Sequence, residues 1–153
     1  MTTASLTRKY FFSASHRLHT PALSELDNAR VFGKCNNPYG HGHNYEVEVT
    51  VRGPVCPDTG LVVNRKMLDD YVQERVVLRF AYKNVNLDIS ELKGLVPTTE
   101  NLAIVIADLL SSDWTAHFGA SGPVLTRLHI QETDRNGFEL LIGDQQKRTL
   151  PTV

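Results

Sequence analysis

From Asn44 the chain alternates strictly, with Tyr45, Val47, Val49 and Val51 apolar and Asn44, Glu46, Glu48 and Thr50 polar. A period of two over eight residues predicts a strand with one buried face. An earlier run, RKYFFSAS at 8–15, predicts another strand that ends at His16. Between them, residues 17–42 show no sustained periodicity, and a loop of that length in a compact domain is usually functional. After the turn-rich PVCPDTG and the short apolar LVV, Asn64 can cap a helix beginning near Arg65. Leu68, Tyr71, Val72, Val76 and then Arg79 or Phe80 keep helical spacing, with acids early and Arg75 and Arg79 late. Pro97-Thr98-Thr99-Glu100 announces a second helix, whose apolar stripe is Leu102, Val105, Ile106, Leu109 and Leu110.

The last part predicts two strands. VLTRLHIQET places Val124, Leu128 and Ile130 on one face and Leu125, Arg127, His129 and Gln131 on the other. Asp134-Arg135-Asn136-Gly137 is a hairpin signal, and FELLI returns. The order ββααββ predicts an α+β domain, an antiparallel sheet with two helices on one face. No repeat, low-complexity tract or linker divides it, so residues 1–153 are expected to form a single domain.

Composition narrows the function classes. Hydrophobic residues are 41% and charged residues 22%, as in ordinary globular proteins. A formal net charge of -1 provides no basic excess for nucleic acid or a membrane surface. Neither a signal-peptide run nor a membrane-spanning run is present. Two cysteines, Cys35 and Cys56, make no disulfide framework, and a cytoplasmic location is expected. Cys56, between two prolines in PVCP, is read as a plain loop cysteine.

The candidate chemistry lies in KCNNPYGHGH, residues 34–43. His41 and His43 stand at i, i+2 at the start of a strand, so their side chains leave one face. Two neutral imidazoles there can share a divalent metal, and His16 is the natural third ligand if the first two strands pair. Gly40 and Gly42 allow the backbone to bend around an ion. Three histidines with an open fourth position is the pattern of a catalytic zinc. The alternative is a surface turn at HGH with His16 as a satisfied core residue. His19, His117 and His129 are read as structural or solvent-facing.

FSASHRL (12–18), KCNNPYGHGHNY (34–45), PTTEN (97–101) and ETD (132–134) occur in that order on the ββααββ frame. Together they resemble the 6-pyruvoyl-tetrahydropterin synthase family, which includes the 6-carboxy-tetrahydropterin synthases of queuosine biosynthesis. The resemblance spans residues 8–142. It implies the tunnelling fold (T-fold), an oligomeric barrel assembled as a homohexamer, a dimer of trimers, with active sites between subunits. It implies zinc on His16, His41 and His43, Cys35 as the catalytic thiolate base, Glu132 as the acid that anchors the pterin, and Thr98 and Thr99 in the pterin pocket. The implied substrate is 7,8-dihydroneopterin triphosphate. A Lewis acid on its side-chain oxygens would acidify neighbouring protons, and a thiol near a cation accepts them more readily. Glu132 shares the parity of Leu128 and Ile130 and is expected to point inward, where a bidentate carboxylate suits adjacent N–H donors. Without the resemblance it reads as a strand-end salt bridge.

One segment departs from the family. Where its members carry a stretch resembling DHKNLNLD, residues 81–88 read AYKNVNLD. Ala81 takes the place of the relay aspartate and Tyr82 that of the histidine. A phenol with a reference pKa near 10 is a poor base at neutral pH, and losing a general acid–base group costs roughly 100- to 10,000-fold in rate. Three readings remain: a zinc-dependent pterin synthase-like lyase with Tyr82 as substitute proton donor, a zinc- and pterin-binding homologue with little or no turnover, and a zinc protein of unrelated chemistry.

Overall fold

Four strands form one antiparallel sheet in chain order: β1 (Thr3–His16), β2 (His41–Pro54), β3 (Val124–Thr133) and β4 (Asn136–Leu141). The computed structural model describes residues 1–143; the end of the expected domain, 144–153, lies outside the described residues. β1 begins five residues before the predicted start at Arg8, because Thr3 to Thr7 pair with β2 although their side chains carry little apolar signal. The predicted alternation of β2 holds, with Tyr45, Val47, Val49 and Val51 all buried.

β3 corrects one expectation. Leu125 is 7% exposed while Val124 is 41% exposed, the reverse of the parity read from the sequence. Val51 pairs with Leu125 but Thr50 pairs with Arg127, so Thr126 is an extra residue in the ladder. A β-bulge of this kind switches which face each side chain takes. Thr126 donates its hydroxyl to the Thr50 carbonyl at 3.2 Å and accepts at its own carbonyl from Ile142 N–H.

The two predicted helices are present, accompanied by shorter helical segments. α1 (Glu25–Phe32) lies inside the predicted loop; Ser24 caps it, and buried Asn28 pins it by bonds to both the N–H and the carbonyl of Thr20. Gly33–Asn36 follows as a 3-10 turn carrying Cys35. α2 (Arg65–Val72) starts at the Asn64 cap, widens into π-helix over Gln73–Val77, and closes as α3 (Leu78–Phe80). α4 (Val85–Asp88) is one turn, α5 (Thr99–Ser111) is the second long helix, and α6 (Trp114–Phe118) is short.

The core lies between one sheet face and the helices. Tyr10, Phe12, Val47, Val49, Leu128 and Ile130 meet Leu68, Val72, Val76, Phe80, Leu102, Ile106 and Leu110. Each fully buried aliphatic or aromatic side chain contributes about 1.5–3 kcal/mol. The other face is polar, with Lys9 paired to Glu46 and Arg127 to Glu48 and Glu139. Among the described residues no helix is long and apolar enough to cross a membrane.

Candidate metal centre and active site

The strand register builds the histidine cluster. His16 lies directly opposite His41, and Ala14 opposite His43, so three imidazoles meet at the end of the β1–β2 ladder. Gly40 makes the approach possible: its φ is +72°, and a Cβ there would stand 2.8 Å from the His16 carbonyl oxygen. Gly42 has no such constraint, since a Cβ would meet only the Ala14 carbonyl at an ordinary 3.5 Å.

The three Nε2 atoms form a near-equilateral triangle with edges of 3.3, 3.2 and 3.2 Å. His16 is fully buried, and its Nδ1–H donates to the Pro97 carbonyl at 2.9 Å, which leaves Nε2 as a lone pair aimed into the triangle. Nitrogens bound at about 2.0 Å to one tetrahedral ion stand about 3.3 Å apart. The cluster therefore fits a metal, and the three residues can hold one. Burial, more than the neighbouring imidazoles, holds His16 below its ordinary pKa, although the Pro97 carbonyl opposes this. His43 is lowered by burial as well, and Glu132 works against that shift. Neutral imidazoles are the form a metal requires.

Glu132 stands on one side of the triangle, Oε1 lying 3.8 Å from His16 Nε2 and 3.7 Å from His43 Nε2. It is the extra residue of a second bulge, between the pairs Gln131–Gly137 and Thr133–Asn136. Its side chain is 9% exposed, as the inward parity predicted. Thr99, itself buried, donates its hydroxyl to Oε1 at 2.7 Å, and Asn136 Nδ2 donates to Oε2 at 3.3 Å. Thr98 is occupied differently: its hydroxyl caps α5 by accepting from Asn101 N–H.

Cys35 lies on the 3-10 turn, and its carbonyl accepts from Leu18 N–H at 2.8 Å, tying the turn to the chain just beyond β1. Burial, then the Glu132 carboxylate, push its thiol up. Cys35, Glu132, Thr99 and the three histidines are thus gathered at one end of the sheet. Sequence reasoning missed Tyr45, which is 1% exposed and sets its ring edge-on to His43 with centroids 5.6 Å apart. The available signal was parity, because Tyr45 continues the i, i+2 series of His41 and His43.

Tyr82 is placed elsewhere. It adopts φ +60°, donates its N–H to the Ser13 carbonyl at 2.6 Å and is 91% exposed. The cleft beside it, about 390 Å³, is lined by Ser13, Ala14, Ser15, Gly42, His43 and Asn44. Tyr82 therefore stands exposed at the β1 edge.

A four-stranded antiparallel sheet with helices on one face, carrying its buried polar cluster at the end of β1 and β2, is the tunnelling fold. A family profile for 6-pyruvoyl tetrahydropterin synthase matches residues 5–141. The chain belongs to that family. A 6-pyruvoyl tetrahydrobiopterin synthase of Poecilia reticulata is 47% identical over 131 residues, 86% of this chain and 85% of its own. The Homo sapiens protein of the same description is 42% identical over 133 residues, 87% of this chain and 88% of its own. A solved structure of 6-pyruvoyl tetrahydropterin synthase from Caenorhabditis elegans, 36% identical, superposes with a TM-score of 0.83 over 94% of this chain and 98% of that one.

Proposed function

We propose that this chain is a zinc-dependent lyase of the 6-pyruvoyl tetrahydropterin synthase type, acting on 7,8-dihydroneopterin triphosphate and eliminating triphosphate. The observation that carries the reading is the convergence of three Nε2 atoms at 3.2–3.3 Å beside a carboxylate held by Thr99. The names of the relatives at 47% and 42% identity favour triphosphate elimination over the side-chain removal that yields 6-carboxy-tetrahydropterin in queuosine biosynthesis. His16, His41 and His43 hold the ion; when bound, zinc acts as a Lewis acid toward the substrate's side-chain oxygens. Glu132 accepts from the pterin's adjacent N–H donors, in a pocket bordered by Thr98 and Thr99. Cys35 takes a proton from the substrate side chain; a cation held by the histidines would work against the burial that raises its thiol. Tyr82 donates the proton that the family's relay histidine would supply. Because it stands exposed at the β1 edge, it serves the site of an adjacent copy in a homohexamer built as a dimer of trimers. Two free cysteines and the family's small-molecule chemistry fit a cytoplasmic enzyme.

A second reading has one specific observation in its favour. Ala81 and Tyr82 replace the relay pair, which leaves a zinc- and pterin-binding homologue with little turnover. Incubating the zinc-loaded protein with 7,8-dihydroneopterin triphosphate, and following triphosphate and pterin products by chromatography, separates the two. Catalytic release of triphosphate is expected. Tight pterin binding with no release would replace the lyase by the binding protein.

A further inference from the structure

We propose that Asn36 is a positioning residue: its side-chain amide straps the turn that carries Cys35 to the chain leaving β1, and so holds the thiol toward the ligand. This inference rests on the reading of Cys35 as the base and adds the device that aims it.

Packing does little to place this turn. Gly33–Asn36 buries none of its residues, has no side-chain cap at its start, and closes on a long 3.3 Å bond from Asn37 N–H to the Lys34 carbonyl. Its position is set by hydrogen bonds to Arg17, Leu18 and His19. Leu18 N–H donates to the Cys35 carbonyl at 2.8 Å, and Asn36 Nδ2 donates back to the Leu18 carbonyl at 2.8 Å. The amide stands in for the backbone N–H that a neighbouring strand would offer, so both main-chain groups of Leu18 are satisfied by the turn. Arg17 Nε adds a bond to the Asn36 carbonyl at 3.1 Å.

The position requires an amide. One N–H of Nδ2 goes to Leu18 and the other to His19 Nδ1, 3.1 Å away, which accepts and keeps the ring proton on Nε2. Both contacts are made by the same nitrogen, so the reversed amide would set Oδ1 against the Leu18 carbonyl, acceptor against acceptor. An aspartate of nearly the same shape has no proton to give either partner. The segment that receives the strap is itself fixed. Asn86 accepts from Arg17 N–H and donates to the Arg17 carbonyl, both at 2.8 Å. Arg17 directly follows His16, whose ring is bonded to Pro97. The strap therefore places Cys35 relative to the imidazoles through the short run from Arg17 to His19.

The test uses the zinc-loaded full chain in a Cys56→Ser background, where Cys35 is the one remaining cysteine, with 7,8-dihydroneopterin as the probe. The rate of Cys35 alkylation by iodoacetamide is read by mass spectrometry, with and without saturating probe, for the parent, Asn36→Ala and Asn36→Asp. Zinc content, probe affinity and thermal melting are measured alongside. In the parent, bound probe should shield the thiol and slow its alkylation. In both variants, alkylation of the probe-bound protein should rise about five- to tenfold, the share of the hydrogen bonds lost, with zinc content and probe affinity nearly unchanged. Turnover should follow, kcat falling with KM kept. Shielding kept in either variant would overturn the proposal and leave Cys35 as the base. A matching fall in zinc content or probe affinity, or a loss confined to KM, would overturn it too, because the amide would then hold the site as a whole. No shielding in the parent would take the thiol away from the ligand, removing the reading of Cys35 and the proposal with it.

Discussion

The histidine end of the sheet and the 81–84 segment lie close together on β1 and are built in opposite ways. At the first, the groups are buried or half-buried and cross-braced: strand register sets the three imidazoles, Pro97 fixes the His16 tautomer, and Thr99 holds Glu132. At the second, backbone bonds to Ser13 and Ser15 hold the segment, while the Tyr82 side chain is left in solvent at a positive φ. The difference separates two tasks. On the proposed reading, the groups that would hold metal and pterin are brought together within one chain, whereas the proposed proton donor looks outward and depends on what stands next to it. A substitution in the second region can therefore alter turnover without disturbing the first.

The largest expected effect breaks the first region. His16→Ala removes one of the three proposed ligands from a fully buried position, and zinc should fall from about one per chain to a small fraction, with turnover lost. Metal analysis after dialysis checks this, and full occupancy in the variant would remove His16 from the site. Next, restoring the relay pair with Ala81→Asp and Tyr82→His should raise the rate of triphosphate release about 100-fold or more while leaving zinc content unchanged. An unchanged rate would mean that Tyr82 already suffices.

Acid should distinguish the regions too. Burial keeps the folded His16 imidazole below its ordinary 6.5. The unfolded chain then takes up a proton near pH 6.5 that the folded chain refuses, so this contribution to stability is full above that pH and lost as pH falls toward the folded value. Urea midpoints of metal-free protein should drop between pH 7.5 and 5.5, and drop less in His16→Gln. The smallest effect is at the outer segment. Tyr82→Gly relieves a left-handed backbone at a non-glycine residue, about 1 kcal/mol, and should raise Tm by about 2–4 °C at a concentration where the chain is monomeric. A lower Tm would show that the Tyr82 side chain holds contacts of its own.

The sequence made the buried region more legible than the exposed one, for physical reasons. Periodicity reports burial, so β2, α2, α5 and the inward parity of Glu132 could be read directly. Bulges are silent in a parity count. The extra Thr126 inverted the reading of Val124 and Leu125, and the bulge at Glu132 happened to leave its direction intact. α1 escaped because one buried asparagine rather than an apolar stripe pins it, with Leu26 and Val31 left exposed. Tyr45 was counted as a core residue, since its ring explains its parity and only the fold sets that ring against His43. Thr98 and Thr99 looked equivalent until the helix start divided them between cap and anchor. The placement of Tyr82 depends on an edge contact to β1, for which no periodic signal exists.

The most direct test of this division is a crystal structure of the chain with zinc and 7,8-dihydroneopterin bound. Zinc on His16, His41 and His43 is expected, with the pterin N–H groups on Glu132 and Tyr82 of a neighbouring copy facing the ligand side chain. A pterin lying away from Glu132, or Tyr82 remaining in solvent in the assembled protein, would contradict the account.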